Sequence, residues 1–423
     1  MRLIYAFFLY LLTPWLVLRL YWKSIKLPAY RQHISERFSL GSHLKTPVDL
    51  WVHAVSLGEV VAVSPFIELC LARSWQVLVT TMTPTGREQV KRRFGSRVLC
   101  HYVPYDMPWC IRRFYNRFQP RRAVIMETEL WPNLIAGAHQ LKIPLLLMNA
   151  RISDKAFKQY QKLPWMFKPI LNQFTAILAQ SEEDAQRFIA MGASELLVKS
   201  VGNMKCDMPV GTFNAQCAEF KELWGKDRSI VIAASTHHDE ERQFLSRFNT
   251  LKAGIPGVVL LFAPRHPERF QEVYQLSLDL GFRTGRKSQP LTIDATTEVI
   301  IIDAIGELLD FYQLSDYAFV GGSLVPIGGH NVLEPIAVGV PVFCGPHMQN
   351  SKAICEDLCA QGALVMRENA DLLISALIAL HQNKDQREQQ ITKASAVLES
   401  HRGTIGRCLD VMDNLTRLDS DAL

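Results

Sequence analysis

Residues able to move protons or hold phosphate gather in six short clusters in this chain, each directly after an apolar run. The first is His53-Ala-Val-Ser56-Leu-Gly58-Glu59. The next two are Glu127-Thr-Glu129-Leu-Trp131-Pro132 and Asn149-Ala-Arg151-Ile-Ser153. Gly202-Asn203-Met-Lys205, Ser235-Thr236-His237 and Ala263-Pro-Arg265-His266-Pro267-Glu268-Arg269 complete the set. Any one of them alone is a helix cap or a turn. Six in the same position relative to an apolar segment point to a ligand site built from several strand ends.

A glycine-rich stretch follows. It reads Phe319-Val-Gly-Gly-Ser323, then Pro326-Ile-Gly-Gly-His-Asn-Val-Leu-Glu-Pro335, then Gly339-Val-Pro-Val-Phe-Cys-Gly-Pro346. The pattern predicts a strand stopping at a glycine pair. A second pair, Gly328 and Gly329, then opens a helix from Asn331 to Val338, and a buried strand runs from Pro341 to Cys344. Glycines let backbone N–H groups approach a ligand, and a helix start offers unpaired donors, so a phosphate suits this place. The plain alternative is a βαβ unit whose glycines only serve tight turns.

The elements that must position these clusters alternate regularly. Apolar runs at Val48–Val55, Gln76–Thr81, Ala123–Met126, Pro144–Met148 and Thr175–Ala179 read as strands, with helical patterns between them. After Gly202 the rhythm restarts with strands at Ser229–Ala234, Val258–Ala263 and Glu298–Ile302 and helices at Asp239–Leu251, Pro267–Leu280 and Ile305–Leu314. This predicts an α/β protein with two open parallel sheets, helices on both faces, and a domain boundary near residue 205. In such sheets ligands bind beyond the carboxyl ends of the strands, where the polar clusters stand.

At 423 residues, two domains are expected. The nine cysteines form no CxxC pair and no zinc pattern, which suits reduced thiols in a cytosolic setting. Leu3 to Leu18 is uncharged and almost wholly apolar or aromatic, and Trp15, Tyr21 and Trp22 suit a membrane interface. No small-residue cleavage site follows, so residues 1–22 read as a membrane anchor that spans the bilayer or lies in one leaflet. Arg19, Lys23, Lys26, Arg31 and Arg37 follow the apolar run against Arg2 before it, which places the body on the cytoplasmic side. Between Arg87 and Arg122 ten basic residues face two acids, with Tyr102, Tyr105, Trp109, Phe114, Tyr115 and Phe118 interleaved. Beside an anchor, a basic surface with exposed aromatics suits anionic lipid headgroups better than nucleic acid, and an ordinary solvated helix face accounts for many of the arginines. His237-His238-Asp239 reads as a helix start, because consecutive residues rarely chelate one ion.

The ordered set Trp51-Val-His-Ala-Val-Ser-Leu-Gly-Glu59, Glu127-Thr-Glu-Leu-Trp-Pro-Asn133, Asn149-Ala-Arg-Ile-Ser153, Gly202-Asn-Met-Lys205, Ala263-Pro-Arg-His-Pro-Glu268 and Gly328-Gly-His-Asn-Val-Leu-Glu-Pro335 resembles the 3-deoxy-D-manno-oct-2-ulosonic acid (Kdo) transferases of lipopolysaccharide synthesis. The resemblance runs over nearly the whole chain. It implies a GT-B fold, two Rossmann-like doubly wound domains facing a cleft, with acceptor binding in 23–204 and donor binding in 205–423, closed by C-terminal helices. It also implies inverting, metal-independent transfer of Kdo from CMP-Kdo to lipid IVA, a lipid A precursor, at the cytoplasmic face of a bacterial inner membrane. Membrane lipids are further partners, with no cofactor and no nucleic acid.

Residue by residue, the resemblance puts Glu59 in the place of the general base that takes the proton of the attacking sugar hydroxyl. Without it, Glu59 reads as an acid favoured in a first helical turn. Ser56, Gly58, Glu127, Glu129 and Arg151 fall on the acceptor side. Lys205, Arg265, Gly306, Ser323, Gly328, Gly329, Asn331 and Glu334 fall on the donor side, where Arg265 suits a bidentate contact with phosphate or the Kdo carboxylate. Two donor-side stretches depart from the family's pattern: His237-His-Asp-Glu-Glu241, where His-x-Gly-Glu-Glu is usual, and Asp303-Ala-Ile-Gly306, where Asp-Thr-Met-Gly is commoner. The rival readings are another GT-B sugar-nucleotide enzyme, an epimerase included, and an inactive lipid-binding homologue. A dinucleotide oxidoreductase is disfavoured because no Gly-x-Gly-x-x-Gly follows an early strand.

Overall fold

The computed structural model describes residues 2–41, 45–207, 215–225 and 227–420. The chain divides into two compact units, Met1–Met208 with Arg402–Leu423, and Pro209–His401.

The first unit is built on seven parallel strands: β1 (Leu50–His53), β2 (Val77–Thr81), β3 (Leu99–Tyr102), β4 (Ala123–Met126), β5 (Leu145–Ala150), β6 (Ala176–Ala179) and β7 (Val198–Ser200), in the order β3-β2-β1-β4-β5-β6-β7. Its central strands are buried throughout and mostly apolar because both sheet faces are covered. Alternate residues serve different layers. Trp51, Ile125 and Leu147 join Phe114, Leu134 and Phe188 on one side. Leu50, Val52, Val124 and Leu146 join Val60 and Phe66 on the other.

The second unit repeats the plan with β8 (Ile230–Thr236), β9 (Val259–Pro264), β10 (Thr284–Arg286), β11 (Val299–Ile301), β12 (Tyr317–Val320), β13 (Val342–Cys344) and β14 (Leu364–Met366). The order is β10-β11-β9-β8-β12-β13-β14, again all parallel. Strand order reverses between β1 and β4 in one sheet and between β8 and β12 in the other. Those switch points are where open parallel sheets receive ligands.

The expectation that 205–423 forms one domain is corrected at both ends. The helix Thr404–Ser420 buries Ile405, Cys408, Leu409 and Met412 in the first unit's core. Its start is fixed there by Asp207, which accepts the N–H groups of Gly403 at 2.7 Å and Ile405 at 2.5 Å. Lys205 lies in the short turn Met204–Asp207, also in the first unit. A return of the chain across some two hundred residues leaves no local pattern to read.

The aromatic part of the expected lipid-facing surface is corrected as well. Tyr102, Tyr105, Phe114, Tyr115 and Phe118 are buried, and only Trp109 is exposed. Phe114, Tyr115 and Phe118 sit on the inner face of the amphipathic helix Pro108–Phe118. Several of the cations have internal work: Arg87 pairs with Glu36 at 2.6 Å, Arg97 with Glu68 at 2.7 Å, and Arg121 with Asp49 at 3.0 Å.

The helix Arg2–Lys26 is long and apolar enough to cross a membrane. One stripe of it is covered. Leu9, Leu16 and Leu20 pack with Tyr30, Ile34, Phe38, Tyr105, Met107 and Cys110. The other side exposes Leu3, Phe7, Leu11, Trp15, Leu18 and Trp22.

Candidate active site

In the first unit the site grows from the turn after β1. Ser56 caps the helix Leu57–Ala72. Its hydroxyl donates to Glu59 Oε1 at 2.8 Å and accepts the Glu59 N–H at 3.4 Å. The N–H of Val55 donates to Glu59 Oε2 at 2.8 Å. This reciprocal arrangement is a capping box, and it fixes the carboxylate in one orientation. Glu59 is 8% exposed. Burial first, and then the charge of Glu127, push its pKa up to about 7. A carboxylate titrating near neutrality is matched to general-base work.

Glu127 follows β4, on the other side of the switch point, with a left-handed backbone (φ 56°). That conformation costs a non-glycine residue about 1–2 kcal/mol and is kept where the surroundings impose it. Arg151 Nε stands 3.9 Å from Glu127 Oε2. Glu129 accepts from Trp131 Nε1 at 2.7 Å, and burial raises its pKa. The structure therefore brings Ser56, Glu59, Glu127 and Glu129 into one electrostatic neighbourhood and sets Arg151 against Glu127. Gly58 lies in the first helical turn beside them.

Two further residues here were given no role of their own from the sequence. His53 ends β1 fully buried, its Nδ1 3.0 Å from Thr80 Oγ1 and its Nε2 without a hydrogen-bond partner. Burial holds its pKa down to about 4. Asp106 accepts the N–H groups of Asn133 at 3.0 Å and Leu134 at 2.7 Å, capping the helix that follows the Glu127–Trp131 loop. Burial raises its pKa to about 7. His53 stood in the first polar cluster but its burial was not legible, and an aspartate two dozen residues before its helix carries no local motif.

In the second unit the site lies at the ends of β8 and β12. Gly321 has no room for a side chain, since a Cβ there would lie 2.6 Å from Ser235 O and 2.7 Å from Thr236 Cα. Glu240, fully buried, accepts the N–H groups of His237, Gly322, Ser323 and Leu324. Ser323 is spent within the fold: its hydroxyl donates to Val320 O and accepts Gly345 N–H at 2.8 Å. That corrects the expectation of a ligand contact through its side chain.

The helix expected from Asn331 to Val338 is only Leu333–Ala337. The Asn331 side-chain Oδ1 accepts the Leu333 N–H at 3.1 Å, and its Nδ2 donates to Glu334 Oε1 at 3.0 Å. Gly328 (φ 108°) and Gly329 (φ 72°) are required by packing, because Cβ atoms there would meet Asn350 Nδ2 at 2.7 Å and Met348 Sδ at 2.2 Å. Gly306 (φ 87°) turns the chain before the helix Leu308–Leu314. Arg265 is exposed at the end of β9, while Arg269 is tied to Glu241 at 2.7 and 3.0 Å. His237 Nε2 and His330 Nε2 lie 2.8 Å apart, a pairing the sequence did not announce.

Comparison with known proteins identifies the family and the fold. Residues 32–208 match the family model described as 3-deoxy-D-manno-octulosonic-acid transferase (kdotransferase). The chain is 37% identical to a 3-deoxy-D-manno-octulosonic acid transferase of Haemophilus influenzae over 97% of its length and 98% of that protein. It is 32% identical to the Bordetella pertussis transferase of the same name, over 88% of each. In fold, a glycosyltransferase from Rickettsia africae covers 89% of the chain and 99% of its own at a TM-score of 0.61 with 12% identity. A UDP-GlcNAc 2-epimerase from Neisseria meningitidis covers 85% and 99% at a TM-score of 0.58 with 13% identity. These last two establish the GT-B architecture alone. With the identity extending from end to end, the chain belongs to the Kdo transferases, a family of glycosyltransferases.

Proposed function

We propose that the protein is an inverting transferase that moves Kdo from CMP-Kdo to lipid IVA or a closely related lipid A precursor, at the cytoplasmic face of a bacterial inner membrane. The observation that carries this reading is the Ser56–Glu59 capping box. It aims a buried carboxylate, with its pKa near 7, into the switch point of the first sheet. Glu59 Oε1 or Oε2 takes the proton of the acceptor hydroxyl as that oxygen attacks the anomeric carbon of Kdo. The bond from that carbon to the CMP phosphate breaks as the new one forms, which inverts the centre. Glu127 keeps Glu59 basic enough for the task, and Arg151 restrains Glu127.

On the donor side, Arg265 is assigned to the phosphate or the Kdo carboxylate, and a cationic side chain takes up the leaving-group charge in place of a metal. Asn331, Glu334 and the backbone of Gly306, Gly328 and Gly329 shape the nucleotide end, with Ser323 holding the loop. The exposed apolar face of helix Arg2–Lys26 supports membrane attachment.

The test is incubation of the detergent-solubilised protein with CMP-Kdo generated in situ and tetraacylated lipid A precursor, read by mass spectrometry. The expected result is a mass gain of one or more Kdo units. No gain, with a known Kdo transferase working in the same tube, overturns the reading.

A further inference from the structure

His53 is the last residue of β1, and none of it is exposed. β1 lies between β2 and β4, and the imidazole ring has partners from both sides. On the β2 side its Nδ1 meets Thr80 in either tautomer, at the hydroxyl (3.0 Å) or at the carbonyl (3.3 Å). Trp51 Nε1 donates to the same hydroxyl at 2.8 Å, and the Trp51 ring stacks with His53 at a centroid distance of 6.3 Å. Trp131, from the loop after β4, sets its ring at 71° to His53 with centroids 5.8 Å apart. Nε2 has no hydrogen-bond partner. Burying a ring nitrogen without one costs free energy, so a position that served packing alone would favour an apolar ring.

Trp131 carries the contact onward. Its Nε1 donates to Glu129 Oε2 at 2.7 Å, the one hydrogen bond that this carboxylate receives among the described residues. Unlike His53, both Trp131 and Glu129 are half-buried, within reach of a ligand. The titratable groups around Glu129 are Glu127 from its own loop, Glu59 from helix Leu57–Ala72 and Tyr160 from helix Asp154–Tyr160. None of these favours a second negative charge. Burial first, and Glu127 with it, push the Glu129 carboxyl toward its neutral form, and the Trp131 N–H opposes them.

We infer that His53 is a positioning residue for acceptor binding: tethered to Thr80, its ring fixes Trp131, and Trp131 fixes the Glu129 carboxylate that receives a hydroxyl of the acceptor sugar. The tether is what a phenylalanine would lack, because it stops the ring from turning about its own bond. A perpendicular contact between rings and a charge-assisted N–H···O bond are both directional, so orientation passes through each. Trp131 uses Oε2, and Oε1 is left to accept the sugar hydroxyl. The inference rests on the acceptor-side reading of Glu129 and adds a supporting role for His53 and Trp131 which that reading does not require.

Steady-state transfer by the full-length protein in detergent, with tetraacylated lipid A precursor as the varied acceptor, tests it in His53→Phe, Trp131→Phe and the double variant. In each the acceptor KM should rise about tenfold or more, the worth of a hydrogen bond to a charged group, with CMP affinity unchanged in calorimetry. Deprived of its N–H partner, Glu129 keeps its proton to higher pH. On acidification the acceptor KM should therefore begin to climb at a higher pH in both single variants than in the wild type, which a merely loosened core would not produce. The double variant should match Trp131→Phe alone, because the links act in series. Should His53→Phe fail to fold, His53→Asn, whose amide still meets Thr80 but which has no ring, carries the same expectation. A lowered Tm with the acceptor KM and its pH dependence unchanged makes His53 a packing residue and overturns the inference, as do single effects that simply add. An unchanged acceptor KM in Glu129→Gln overturns the reading of Glu129 on which it rests, and no transfer by the wild type overturns the proposed function itself.

Discussion

The carboxylate of Glu240 accepts the backbone N–H of Gly322 at 2.7 Å, across 82 residues of sequence. With Ser323 and Leu324 N–H at 3.0 Å and His237 N–H at 2.9 Å, one buried side chain ties the end of β8 to the loop after β12. These are the two strands between which the second sheet reverses its order.

Replacing Glu240 by Gln puts an amide –NH2 where one carboxylate oxygen received backbone donors. At least one buried N–H then loses its acceptor, and the new group has no acceptor of its own. The expected cost is about 2–4 kcal/mol. Differential scanning calorimetry of the whole protein should show the second unit melting earlier. A Tm equal to the wild type would mean that the loop holds itself.

For Glu59 the expectation separates activity from stability. Glu59→Gln preserves the shape of the capping box and removes the base, so transfer should fall by roughly 10²–10⁴-fold. The folded pKa, about 7, stands above the ordinary 4.5. The group's stabilising contribution is therefore complete below about 4.5 and is lost as pH rises through 7. The variant should consequently be more stable than the wild type above pH 7, by about 1–3 kcal/mol. Denaturation at pH 6 and pH 8 would show it, and near-normal turnover would remove Glu59 from the base role.

The same group predicts a pH profile. Transfer should climb as pH rises toward 7 and level off above, because the base must be ionised. Glu127 is the leading neighbouring charge that raises the pKa of Glu59. Glu127→Gln should therefore move the rising limb of kcat/KM to lower pH. A limb that stays in place would show that burial alone sets it.

What was legible in the sequence follows from locality. Central strands such as Ala123–Met126 are apolar throughout and bounded by turns, so their existence and order of appearance were plain. The edge strands β3, β7, β10 and β14 were not read, because they are short or half-exposed. The polar clusters stood where expected, at strand ends. Their internal geometry was not readable, because the partners of Glu240, His237 and Asp106 come from distant segments. In the glycine-rich stretch Gly328 and Gly329 are demanded by Asn350 and Met348, contacts that no local spacing reveals.

The N-terminal helix gives the last prediction. If Arg2–Lys26 were a tether and nothing more, deleting it would leave the first unit's stability unchanged. Here Leu20 is 7% exposed and packs, with Leu9 and Leu16, on Tyr105, Met107 and Cys110. The hydroxyl of Thr13 also lies 3.8 Å from Met107 Sδ. Removing the helix uncovers this apolar patch next to Asp106, which caps the helix behind the Glu127 loop. Deletion of residues 2–26 should therefore lower the Tm by several degrees, about 1–3 kcal/mol for the side chains exposed. It should also reduce transfer to a short-chain, water-soluble acceptor that needs no membrane. Leu20→Ser within the intact chain should reproduce part of the Tm loss while leaving membrane attachment in place. Unchanged Tm in both variants would show that the helix does not support the fold.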